Sequence, residues 1–171
     1  MGNEAKIYSE PGYAPQVGVL VRMMDVVRTR TLDAVKGLSI SDLDHLQDRQ
    51  SNSIGALLAH IAAVEALHAI GSFENRLPTP EEFAGRAAAF VLGDDARRDV
   101  KGKPLEYYLE ELSAVRQATK RRLREKTDDW LLDDRSYPDG TCINNFYCWF
   151  HVPEDETNHR GQINWLRKRL P

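Results

Sequence analysis

Apolar residues recur at intervals of three and four along four separate stretches of this 171-residue chain, and period-two alternation is almost absent. Such spacing places apolar side chains on one face of a helix and leaves little to build a sheet from. In the first stretch Leu20, Met23, Met24, Val27, Thr31, Ala34, Val35 and Leu38 share a face that begins at Val17, with Gly37 suited to its end. In the second, Ile54, Leu57, Leu58, Ile61, Val64, Leu67 and Ile70 form a wide stripe, with Ser51 or Asn52 placed to cap it. Leu105, Tyr108, Leu109, Leu112, Val115 and Leu123 define the third, whose opposite face and KRRLREK end are charged and read as solvated. A fourth is expected from a Thr141 cap, behind the turn at Pro138, Asp139 and Gly140, to the basic end at Arg167, Lys168 and Arg169.

The connections complete an expected all-α, antiparallel four-helix bundle with a short extra helix. Residues 1–16 hold two prolines and two glycines without periodicity and read as an extended arm, leaving residues 17–171 as one domain. Residues 39–49 are a polar connection with a helical turn that directs Leu43 and Leu46 inward. Pro78, Pro80 and Glu81 start the extra helix, and the run GDDARRDVKGKP then separates it from the third long one, so at least one crossover is long.

With 23 basic and 26 acidic residues the net charge is −3, which gives no reason to expect binding to a phosphate backbone. No apolar run is read as a membrane span, and the start MGNEAKIYSEPGYAPQ shows neither a leader nor, with Lys6 where serine or threonine is needed, a myristoylation signal. A cytoplasmic protein acting on small molecules, without nucleic acid or membrane, is the expectation. Cys142 and Cys148 are six apart, roughly 9 Å of rise on a helix, so two buried reduced thiols are expected rather than a bridge. A redox thiol or a soft metal ligand is the other reading.

The chemistry concentrates in HVPEDETNHRGQINWLRKRLP, where His151, Asp155 and His159 follow one another at intervals of four. Residues at i and i+4 share a helix face, so a carboxylate and an imidazole there can turn to one ion, as in the HExxH helices that hold zinc. His60 sits in the apolar second stretch and needs a partner there, either a carbonyl or carboxylate of the core or a shared cation. Pro153 either loosens the helix between His151 and Asp155 or begins it, and in the second case His151 drops out as a ligand. Glu156 and Glu65 are the carboxylates beside these groups; each is read as a general base or orienting partner, or as an ordinary solvent-facing or salt-bridged helix residue. His68 and His45 carry no second clue, and Tyr147, Trp149, Phe150 and Trp165 are read as bundle core more readily than as substrate walls.

The segments SIGALLAHIAAVEALH at 53–68 and HVPEDETNHRGQINWLRK at 151–168 together resemble the DinB-like superfamily, also called the YfiT-like metal-dependent hydrolases. The resemblance extends from the first long helix to Arg169, and its most specific parts are LLAH and HRGQI. It implies a four-helix bundle with a divalent metal, zinc or nickel most often, held by one histidine of the second helix and two ligands of the last. Matched residue by residue, His60 and His159 are metal ligands, His159 lying just before Arg160, Gly161 and Gln162, while Asp155 stands where most members have histidine. A carboxylate there is compatible with zinc, nickel, iron or manganese. Some relatives are transferases that use low-molecular-weight thiols such as mycothiol or bacillithiol, and others are mycothiol-dependent isomerases.

The expected function is therefore that of a metal-dependent thiol S-transferase or hydrolase, with His60, Asp155 and His159 on the metal, Glu156 as the catalytic acid or base, and a homodimer as a possible assembly. The alternative is a non-catalytic helical stress-response or binding protein with a degenerate site, in which Asp155 neutralises His60 or Arg160 through an ion pair.

Overall fold

The structure, a computed structural model, describes residues 6–137 and 139–171; the first five positions of the expected arm lie outside the described residues. Helix α1 (Pro15–Val35) opens on a proline whose missing N–H needs no partner there. Its N-terminus has no cap of its own, and Asp128 supplies one from across the chain, Oδ1 accepting from the backbone N–H of Gln16 at 2.8 Å and Val17 at 3.2 Å. Gly37 ends the segment at φ +78°, a conformation open to glycine. Helix α2 (Ile40–Asp44) is a single turn closed by a capping box between Ser39 and Asp42. It buries Leu43, but Leu46, expected inside, is 38% exposed because the helix stops before reaching it.

Helix α3 (Ile54–Glu74) is capped by Ser53, one residue beyond the expected pair, because Asn52 turns away to accept from the Gly93 N–H at 3.1 Å. By length and composition α3 is apolar enough to cross a membrane, contrary to the sequence expectation, and most of it is core in this bundle. Three short helices follow where one is expected: α4 (Pro80–Ala84), α5 (Ala87–Val91) and α6 (Gly93–Asp99). Helix α7 (Leu105–Leu123) leads through a 3-10 turn (Asp129–Leu132) to the two-stranded hairpin β1 (Asp134–Ser136) and β2 (Cys142–Asn144), paired with Arg135 opposite Ile143. Asp139 and Gly140 of the expected turn therefore lie in the connection of a hairpin, Pro138 lying outside the described residues, and the last helix, α8 (Asn145–Arg167), starts later than expected under an Asn144 cap. It runs unbroken through Pro153, so His151 lies on it.

Contacts between helices fix their directions. Arg167 of α8 reaches the Ala34 carbonyl of α1 and Glu156 meets Arg28, so α1 and α8 run the same way. Glu65 meets Arg116, and Tyr108 lies against Gly55, so α3 and α7 also run together, opposite to the first pair. A parallel pair joined in sequence requires a connection the length of the bundle, which is why α4 to α6 exist.

The core has two apolar parts. One gathers Val35, Leu43, Ile54, Leu57, Leu58, Tyr108, Leu112 and Ile163; the other gathers Val17, Leu20, Met24, Leu123, Leu131 and Trp149. Trp149 is thus core as expected, whereas Tyr147, Phe150 and Trp165 remain 40–53% exposed. Of the two thiols only Cys148 is buried; Cys142, on the short strand, faces solvent.

Between the two apolar parts lies a charged layer with one member from each long helix. Arg28 of α1 grips Glu156 of α8 with two hydrogen bonds of 2.8 and 3.1 Å and reaches Glu65 of α3 at 3.2 Å. Arg116 of α7 bonds Glu65 at 2.9 Å and Glu156 at 3.3 Å, and each arginine spends a further N–H on a backbone carbonyl, Leu112 or Met24, at 2.8 Å. Both carboxylates have no exposure. Burial pushes the Glu65 pKa up, but Arg116 and Arg28 outweigh it and hold it below its ordinary value. Replacing Glu156 with Gln leaves two guanidiniums facing one buried carboxylate, and urea unfolding should show a loss of about 3–5 kcal/mol. A loss under about 1 kcal/mol would mean that the layer is not a closed unit.

Candidate functional site

The seam between the antiparallel helices α3 and α8 carries two imidazole pairs with Asp155 between them in sequence order. His60 and His159 meet edge to face with ring centroids 4.6 Å apart, and His68 and His151 lie 5.4 Å apart two turns further along. His60, Asp155 and His159 form the tight cluster, their ligand atoms all within 4.8 Å of one another. His159 Nε2 is 3.3 Å from Asp155 Oδ1, and His60 Nε2 is 3.7 Å from Asp155 Oδ2. Edges of this size match a four-coordinate site with bonds of about 2.0–2.2 Å after small rotations of the side chains.

Orientation is fixed from behind. His60 Nδ1 lies 3.0 Å from the Ala89 carbonyl of α5. A carbonyl can only accept, so Nδ1 carries the proton and Nε2 presents its lone pair to the cluster. His159 Nδ1 lies 3.4 Å from Gln162 Oε1, one turn on, and with that amide orientation takes the same tautomer. Metal-binding imidazoles are held this way, the second nitrogen donating to a carbonyl or amide oxygen. The Ala89 carbonyl has no sequence signature, whereas Gln162 is visible in the HRGQ segment without its role being readable there.

The three side chains are 12–15% exposed, enough for solvent to reach them in a largely walled site. Asp155 Oδ2 is buried without a hydrogen-bond partner, since His60 Nε2 stops short at 3.7 Å. That orphaned oxygen, facing two oriented ring nitrogens, is the feature a cation would satisfy. Burial raises the Asp155 pKa, but His159 and His60 more than offset it, so the carboxyl is held well below its usual range. Burial opposes the charged form of His159 as well, and Asp155 overcomes it, raising the imidazole above 6.5.

The other candidates lie elsewhere. Glu156 turns into the charged layer, sealed against Arg28 and Arg116, which corrects its assignment as an acid or base: it cannot touch a substrate without breaking the core. Glu65 shares that position. His151 pairs with Glu154 at 3.3 Å and lies tilted against His68, outside the cluster. His68 donates to the Val64 carbonyl at 2.9 Å, and burial pushes its pKa down to about 4, so it stays neutral near neutral pH. Arg160 reaches toward the Val27 carbonyl rather than Asp155.

A family model for mycothiol-S-transferases matches residues 19–171. Among solved structures, the chain is similar to a conserved protein from Enterococcus faecalis, with a TM-score of 0.67 at 15% identity, over 88% of this chain and 94% of the other. That likeness bears on the fold alone. No curated protein sequence matches the chain.

Linkage gives the cluster a pH signature. With its folded pKa raised, His159 contributes stability that is full below about 6.5 and lost as pH rises through the folded value; Asp155, depressed, contributes above about 3.9 and fades in acid. A cation bound by His159 would have to displace its proton, so zinc affinity, where this histidine is a ligand, should fall roughly tenfold for each pH unit below that pKa, with about one proton released on binding. Titration calorimetry in buffers of different ionisation enthalpy reads both; a flat profile between about pH 6 and 8 would rule out His159 as the ligand.

Proposed function

The chain belongs to the mycothiol-S-transferase family, one of the DinB-like families, and from that premise we propose a metal-dependent enzyme that joins a low-molecular-weight thiol to an electrophilic small molecule. His60, Asp155 and His159 hold one divalent cation, zinc or nickel first and iron or manganese next. A cation with three protein ligands keeps an open position and supplies the lowering of a bound thiol's pKa that makes a thiolate near neutral pH.

The observation that carries this reading is the paired orientation of His60 and His159, both with Nδ1 spent on an acceptor and Nε2 turned to Asp155. The chain's own residues prepare the site. The Ala89 carbonyl and Gln162 set tautomers, the carboxylate of Asp155 offsets one of the two positive charges of a cation, and the α5 wall limits solvent. Glu156 serves by holding α8 in rotation and takes no part in proton transfer. With a cation held by these residues the ionised form of a thiol would be favoured, its proton passing to solvent, and no side chain of the cluster would be needed as a base. The proposed protein works in the cytoplasm on small molecules, without nucleic acid or membrane, and as a homodimer. A degenerate, non-catalytic site is disfavoured by Asp155 Oδ2, which an ion pair serving only the fold would be expected to satisfy.

Elemental analysis of protein reconstituted with zinc or nickel should find one ion per chain, falling at least tenfold in His159→Ala while the fold is kept. Consumption of mycothiol with a chromogenic electrophile should fall with it. Retained metal in that variant, or thiol consumption indifferent to metal removal, would sink the assignment.

A further inference from the structure

Two turns along α3 from the cluster a cavity of about 270 Å³ opens between α3, the crossover and the hairpin, walled by Leu67, Leu77, Phe83 and Phe90 and bordered by His68 and Arg135. Its apolar wall runs to the candidate metal site, because Phe90 packs edge to face on Phe83 at 5.9 Å and stacks on His60 at 6.1 Å.

Arg135 is the unusual member. It is the inward residue of β1, 8% exposed between two exposed neighbours, and its Nε and Nη1 find no hydrogen-bond partner among the described residues. No described carboxylate lies within ion-pair distance of it, and its neighbours include the face of Tyr137 at 5.7 Å and the thiol of Cys148, which it hydrogen-bonds. Burial pushes the Cys148 thiol up to about 11 although Arg135 opposes the shift, so this cysteine is no internal counterion near neutral pH. Arg76, which also borders the cavity, is already satisfied by Glu82 at 2.7 and 2.9 Å and by Glu74 at 2.9 Å.

Room for this guanidinium has been made on the opposite wall. A Cβ at Gly71, in the last turn of α3, would stand 2.8 Å from Nη2 and 3.0 Å from Nη1 of Arg135. A glycine within a helix and a buried cation with no carboxylate partner are each unfavourable for folding. Together they form a built cradle whose missing component is an anion.

We propose that this cavity is a carboxylate-binding subsite in which Arg135 receives the acidic end of an apolar, preferably aromatic, small molecule. A single guanidinium among apolar walls suits a monoanion with a hydrophobic body better than phosphate or a polar sugar thiol. The carboxylate therefore belongs to the electrophile, whose far end points along Phe90 toward His60. The subsite stands on Arg135 and Gly71; only its assignment to the electrophile rests on the proposed transferase reading.

Calorimetric titration of the full chain, metal-loaded, with benzoate and with benzamide tests the subsite. Benzoate should bind saturably and at least tenfold more tightly than benzamide, and inorganic phosphate should not displace it. Arg135→Gln should weaken benzoate at least tenfold, and Gly71→Ala, which displaces the guanidinium but keeps the charge, should weaken it too. Arg135→Met should melt no lower than the parent without ligand, since it removes an unpaired buried charge. His159→Ala should lose metal yet keep benzoate, which separates failure of the metal reading from failure of the subsite. Equal binding of the amide, benzoate affinity unchanged in Arg135→Gln, or a lower melting temperature of Arg135→Met would overturn the proposal. So would N-acetylcysteine binding through Arg135 where benzoate does not, because the carboxylate would then be the thiol's.

Discussion

Two guanidiniums and two carboxylates, one from each long helix, meet at the middle of the bundle and divide its apolar core into two parts. Attraction among buried charges is largely offset by the desolvation each suffers, so this layer adds little to stability compared with apolar residues of the same shape. Its effect is on alternatives. Any rotation or axial slip of a helix would strand a charge in the core, at a penalty of several kcal/mol, whereas slipping one leucine past another changes little. Apolar stripes on α1, α3, α7 and α8 permit many packings, and Arg28, Glu65, Arg116 and Glu156 admit one.

The site inherits its geometry from that restriction. Glu156 must point to the bundle centre, and its neighbour Asp155 is then turned about 100° around α8, onto the seam with α3. His159, one turn on, faces the same seam, and the antiparallel pairing of α3 with α8 brings His60 opposite. A slip of one residue in either helix would exchange a member of the cluster for a neighbour. A pair of adjacent acids on α8 thus divides two tasks, one clamping the scaffold and one facing the imidazoles of His60 and His159, and adjacency on the helix makes the division.

Those two tasks were unequally legible in the chain. Periodicity of 3.6 gave the long helices, and the DxxxH spacing, the lone histidine in an apolar stripe and the resemblance of LLAH and HRGQI together pointed to His60, Asp155 and His159, whose ligand atoms lie within 4.8 Å of one another. The charged layer carried a signal that spacing alone also contained: Arg28 follows Met24 at i+4 in the buried register of α1, and Arg116 lies between Leu112 and Thr119 in that of α7. A charge in a core position on every long helix points to mutual neutralisation, and without it Glu156 reads as a free acid. The hairpin was hidden for a different reason. Three-residue strands have no periodicity to detect, and the segment from Thr141 onward is equally good as a helix start until the Asn144 cap is seen to win.

The crossover is where fold and site become inseparable. Leu92, between α5 and α6, is held at φ +61° and ψ −155°, a region almost reserved for glycine and worth about 1–3 kcal/mol of strain. Tethers around it hold the strain in place: Gly93 donates to Asn52, and Arg97 bridges the carbonyls of Gln50 and Ser51 at 2.9 and 3.2 Å, binding the crossover to the start of α3. The short helix so pinned presents the Ala89 carbonyl to His60 and the Phe90 ring to its face. A carbonyl acceptor has no proton to exchange and no second rotamer, so His60 keeps Nε2 free whenever the ring is neutral. A relaxed crossover would release that carbonyl, and with it the only group among the described residues that fixes which nitrogen of His60 faces the carboxylate.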